Sequence, residues 1–69
     1  MQMKTTTEQG RALRSLREMA GLTAEDVARE AGVSAAYLSR VENGKAAPTP
    51  RWVGTVSAVI ASHLASEAA

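Results

Sequence analysis

Between Leu22 and Lys45 the chain reads LTAEDVAREAGVSAAYLSRVENGK, and nothing else in the sequence restricts the fold as tightly. A short helical pattern carries Val27, Ala28 and Ala31, and Gly32-Val33-Ser34 follows at once. A second helical pattern then places Leu38 and Val41 on one face. Two helices joined by so short a connection cannot run side by side and must cross steeply.

Each residue at the joint has a physical role. Gly32 lies just past the last periodic position, where a helix ends in the left-handed region that favours glycine. Val33 drops an apolar side chain into the angle between the helices, and Ser34 caps the next helix by accepting from its free backbone N–H groups. Ala28 is small on the face where a larger side chain would hold the second helix away. At the front of the first helix, Thr23 and Asp26 resemble a capping box, and Glu25 and Asp26 lie where the helix dipole favours anions. This is the arrangement of a helix-turn-helix, which seats its second helix in a groove of DNA.

A chain of 69 residues makes one domain near the small end of what folds unaided, which favours helical packing over a two-layer enzyme. It has no cysteine, which excludes disulfides and Cys-rich zinc sites. A short cysteine-free chain without a signal-peptide pattern is expected to be cytoplasmic. Trp52 to Ala65 is interrupted by Gly54, Thr55, Ser57, Ser62 and His63, too short and polar for a membrane span. The net charge is only +1, but its distribution is uneven. Residues 1–22 carry Lys4, Arg11, Arg14 and Arg17 against Glu8 and Glu18, and residues 34–51 carry Arg40, Lys45 and Arg51 against Glu42 alone, the concentration of one sign that phosphate contact requires.

The periodicity predicts an all-α protein. Residues 1–6 read as a flexible N-terminus, 7–66 as one helical domain and 67–69 as a frayed tail. The first helix starts at Thr7 with Leu13, Leu16 and Ala20 as its buried stripe and ends at Gly21. The second spans about Ala24 to Ala31 and the third about Ala35 to Glu42, with Asn43-Gly44 as a left-handed terminus. Thr49-Pro50 opens a last helix reaching about Ser66, with Val53, Val56, Ile60 and Leu64 facing the core. Catalysis has no support: no carboxylate pair, nucleophile with a base, or phosphate-binding glycine loop is present. His63 has no second His or Cys near it, so no metal and no cofactor is expected.

From Gly10 to Thr49 the residues GRALRSLREMAGLTAEDVAREAGVSAAYLSRVENGKAAPT resemble the Cro and phage-repressor type of helix-turn-helix, the XRE-like family. The resemblance joins an upstream LRxxxGLT to a downstream YLSRVENGK. It implies a compact four- to five-helix bundle of the lambda-repressor-like DNA-binding type, in a cytoplasmic protein encoded by a bacterium or phage. Arg17 and Glu42 match a family pair that ties the first helix to the end of the third. Removing one partner of such a pair, if buried, costs about 3 to 5 kcal/mol.

The third helix is then the recognition helix, with Ser34, Ala35, Ala36, Ser39, Arg40 and Asn43 toward the groove. Ala35, Ala36 and Ser39 are the expected base readers, and Arg40 reaches a guanine edge or a phosphate. Tyr37 either offers its hydroxyl to a phosphate or serves packing alone. Thr23 and Ala24 at the start of the second helix, and Asn43 and Lys45 in the following loop, are the expected phosphate contacts. Many relatives carry Gln where this chain has Ala24. That change, with Ala35 and Ala36, leaves a reading surface poor in hydrogen bonds, so discrimination leans on Arg40, Ser39 and DNA shape.

Relatives often add a fifth helix, whereas here one longer final helix is expected. Its Trp52, Val59 and His63 form either a two-fold dimer face or, for Trp52, a lid on the monomer core. The implied function is a sequence-specific transcriptional regulator, a repressor that binds double-stranded DNA at a palindromic operator as a homodimer. The alternative is a protein-interaction module, antitoxin-like or adaptor, that keeps the fold with weak or no DNA binding.

Overall fold

The computed structural model describes the backbone of residues 2–68 and the side chains of residues 8–66. Four helices follow one another: α1 (Gln2–Met19), α2 (Ala24–Ala31), α3 (Ala35–Glu42) and α4 (Pro50–Ala68). The long outer helices, 18 and 19 residues, hold the two eight-residue helices of the motif between them. α1 packs on α3, α2 on α3 and α4, and α1 also touches α4. No helix among the described residues is long and apolar enough to cross a membrane.

The first three helices end in the same way. The N–H of Leu22 donates to the carbonyl of Arg17, that of Val33 to Ala28, and that of Lys45 to Arg40, at 3.1, 2.9 and 2.8 Å. Each bond spans five residues backward and satisfies a carbonyl that the helix end would orphan. Gly32 makes this possible between α2 and α3 with φ of 71°, and Gly44 has φ of 74° after α3. The starts are capped equally locally. Thr23 Oγ1 accepts from the Asp26 N–H at 3.0 Å while Asp26 Oδ2 accepts from the Thr23 N–H at 3.2 Å. Ser34 Oγ accepts from the Tyr37 N–H at 3.1 Å, and Thr49 Oγ1 from the Trp52 N–H at 3.1 Å.

The core is a cluster of Leu13, Ala20, Val27, Ala28, Leu38, Val41, Val56 and Ile60. Five of these, Leu38, Ile60, Val27, Val41 and Val56, are fully enclosed, each contributing roughly 1.5 to 3 kcal/mol by burial. In so small a core, the places where backbones touch matter as much as apolar area. Gly10 is one of them. A Cβ there would run into the carbonyl of Val41, with the carbonyl carbon at 2.9 Å, so glycine permits α1 to lie directly on α3.

The buried stripe of α1 therefore differs from the expected one. Gly10, Leu13 and Ala20 are buried and Arg17 nearly so, whereas Leu16 is 39% exposed. Positions 10, 13, 17 and 20 share a helical face, and Leu16 falls about 60° to one side of Leu13 on a 3.6-residue helix. Position 17 takes the inward place because its guanidinium has a carboxylate to meet in α3. Three further differences concern element ends and depth. α1 begins at Gln2, before the expected Thr7, and α4 reaches Ala68, beyond the expected Ser66. In α4, Val53 and Leu64 are half-buried rather than enclosed. As expected, α4 is one long helix without a fifth.

Candidate nucleic-acid interface

The orientation of α3 is set from its inner side. Leu38 and Val41 anchor its middle, and Glu42, only 7% exposed, anchors its end. Arg17 Nε donates to Glu42 Oε2 and Arg17 Nη2 to Oε1, both at 2.8 Å, while Nη1 donates to the carbonyl of Leu22 at 2.9 Å. This two-pronged pair fixes both the distance and the rotation of α3 relative to α1. The hydrogen bond to Glu42 holds the Arg17 guanidinium above its ordinary pKa, against an opposing effect of burial. The same arginine reaches the linker before α2, so one side chain joins α1, the α2 entry and α3.

With its inner side fixed, α3 presents Ala36, Ser39, Arg40 and Asn43 to solvent, and Ser34 is exposed at its cap. Arg40 makes no ion pair among the described residues. Ser39 and Asn43 sit one turn apart, with Asn43 Nδ2 3.5 Å from Ser39 Oγ. Lys45 follows, exposed, in the loop, and Thr23 is exposed at the start of α2. These seven expected contact residues, with Ala36 the only apolar one, remain accessible.

Three others are placed differently. Ala24 and Ala35 are half-buried and pack against the core, so neither is a freely projecting reader. Tyr37 is half-buried too. Its ring meets Trp52 edge to face, with centroids 5.3 Å apart and planes at 80°, and its hydroxyl donates to the carbonyl of Ala47 at 3.4 Å. Such a pair contributes about 0.5 to 1.5 kcal/mol beyond area burial, and here it pins the loop and the start of α4 to α3.

In the final helix, the residues expected to form a dimer face or, for Trp52, a lid on the core make contacts within the chain. Trp52 is engaged by Tyr37, and Val59 packs against the core cluster. His63 Nε2 lies 2.9 and 3.1 Å from the two carboxylate oxygens of Glu30 in α2. All three residues are half-buried and spent on contacts within the chain.

Comparison with known families decides what this arrangement is. The helix-turn-helix domain family matches residues 8–60, well over half of the chain. The chain belongs to that family, within its XRE/Cro-like group. It therefore carries a helix-turn-helix DNA-binding domain, with α2 and α3 inside the matched residues. No curated protein and no solved structure gives a significant match.

Sequence reasoning missed Gly10, the Tyr37–Trp52 contact and the His63–Glu30 contact. For Gly10 a signal was available: a glycine inside an otherwise strong helix pattern marks a close approach of another backbone.

Proposed function

We propose that this helix-turn-helix protein is a sequence-specific transcriptional regulator acting as a repressor. In this reading Arg40, Ser39 and Ala36 face base edges, and Thr23, Asn43 and Lys45 contact the sugar-phosphate backbone. The observation that carries it is the contrast across α3. Its inner side is locked by a buried ion pair, whereas its outer side holds an accessible guanidinium without a carboxylate partner among the described residues. A helix of eight residues is about 12 Å long, roughly a third of the 34 Å duplex turn. One copy thus reads too few base pairs for a unique site, which favours two copies on a palindromic operator. The contacts of Trp52, Val59 and His63 within the chain weaken the case for a dimer formed by that face.

The test is selection of bound duplexes from a random pool, followed by titration of Arg40→Ala and Lys45→Ala on the selected site. A palindrome with half-sites about one turn apart, and weakened binding by both variants, is the expected result. Unaltered binding by both variants refutes this orientation on DNA. Complete absence of binding to genomic fragments at low salt favours the second reading, a protein-interaction module. That reading draws support from Ala24, Ala35 and Ala36, three positions of the motif whose side chains offer no hydrogen bond to a base edge.

A further inference from the structure

A groove of about 680 Å³ lies where α1 passes the end of α3, lined by Arg11, Arg14, Ser15, Glu18, Glu42 and Asn43. We propose that this groove receives a backbone phosphodiester of the bound duplex, clamped by Arg11 and Arg14 of α1. The proposal rests on the DNA-binding reading given above and adds α1 to the contact surface.

Three observations carry it. First, the donors outnumber the free acceptors. Arg11 is exposed and makes no ion pair among the described residues, Ser15 and Asn43 are exposed, and both oxygens of Glu42 are already taken by Arg17. Glu18 is the one carboxylate not so neutralised. It reaches Arg14 at 3.3 Å with more than half of each side chain in solvent, a pair weak enough to yield to a phosphate. Second, the groove is continuous with the reading face. Asn43, on its wall, is one turn beyond Ser39 and 3.5 Å from its hydroxyl, so a strand passing the end of α3 crosses the groove mouth. Third, the wall is rigid. Gly10 and Arg17, on either side of Arg11 and Arg14, hold this part of α1 against α3. A planar guanidinium fork on such a support matches the paired oxygens of a phosphodiester.

A phosphate contact carries no sequence information, and each one adds about one unit to the salt dependence of binding. The experiment measures affinity of the full chain for its selected duplex and for a scrambled duplex across a salt series. The double variant Arg11→Ala/Arg14→Ala is expected to lose about two units of the slope of log K against log salt. It should weaken both duplexes by the same factor, leaving their ratio unchanged. Glu18→Gln frees Arg14 and moves binding the other way, tighter on both duplexes, so the prediction survives any folding defect in the double variant. If the parent chain binds DNA while the slope stays constant in all variants, the groove proposal fails and the DNA-binding reading stands. If the parent chain binds neither duplex, both fail together. Saturable binding of inorganic phosphate to the groove without any change of slope also overturns the proposal, in favour of a free-anion site.

Discussion

The two sides of α3 were built under opposite constraints. Inward, Leu38, Val41 and Glu42 are closed off, and the α1 backbone at Gly10 touches that of Val41. Outward, Ala36, Ser39, Arg40 and Asn43 are exposed, and their side chains form no ion pair among the described residues, with one hydrogen bond, Asn43 to Ser39 at 3.5 Å. A substitution on the inner side changes where the helix sits, whereas one on the outer side changes only what it touches. The determinants of the fold and the proposed reading surface are thereby separated across one short helix and its C-cap.

The inner side should break hardest. Arg17→Ala leaves Glu42 buried without its cation, a loss of about 3 to 5 kcal/mol. In a domain of this size each kcal/mol is worth about 4 to 8 °C, so thermal denaturation followed by circular dichroism should find the melting temperature of this variant lowered by roughly 12 to 40 °C. Replacing both partners by apolar residues of similar volume, Arg17→Met with Glu42→Leu, should recover most of the loss. If the single and double variants melt alike, the pair is not what fixes α3. Next comes Gly10→Ala. Its methyl group meets backbone rather than a movable side chain, so α1 must shift, at about 1 to 3 kcal/mol for overpacking. A Gly10→Ala protein at least as stable as its parent would show that α1 and α3 are not held at that point.

The same contrast explains which features could be read from the sequence. Caps and helix ends are local: Thr23 with Asp26, Ser34 with Tyr37, and Gly32 act within a few residues, and the structure realises each where spacing placed it. The Arg17–Glu42 pair spans 25 residues and was legible only through family resemblance. The His63–Glu30 contact, 33 residues apart, had no such support and escaped detection. Leu16 was misplaced because hydrophobic periodicity credits a leucine over an arginine, and only the carboxylate in α3 reverses that order. The half-burial of Ala35 was hidden for a related reason. A methyl group looks alike on either side of a helix wheel until the neighbouring helix is in place.

Substitutions on the outer side should leave the fold intact. Arg40→Ala should shift stability by no more than about 0.5 kcal/mol, because its side chain has no partner within the chain to lose. Fluorescence anisotropy on the selected duplex separates two roles for it. A guanine contact costs about 1 to 3 kcal/mol of binding and relaxes preference at one base pair. A phosphate contact instead weakens all duplexes equally and lowers the salt slope by about one. A melting temperature that falls as far as that of Gly10→Ala would erase the distinction between the two sides.

A loss of stability smaller than those of Arg17→Ala and Gly10→Ala is expected outside α3, at the cap of α2. Thr23→Ala removes the hydroxyl that accepts from the Asp26 N–H and should cost about 1 kcal/mol, the usual value of such a cap. The cap also has a pH signature. Hydrogen bonds from the Thr23 backbone N–H and from its hydroxyl, then from Arg29, hold the Asp26 carboxyl below its ordinary value of 3.8. Because the folded value is the lower one, the stabilisation is complete above the unfolded value of 3.8 and disappears as pH falls through the folded value. Asp26→Asn has no such titration. The gap in melting temperature between parent and Asp26→Asn should therefore be constant near neutrality and shrink below about pH 4. A gap that stays constant down to pH 2 would mean that Asp26 acts through shape alone, and the entry to α2 would then belong with the tolerant outer side of the motif.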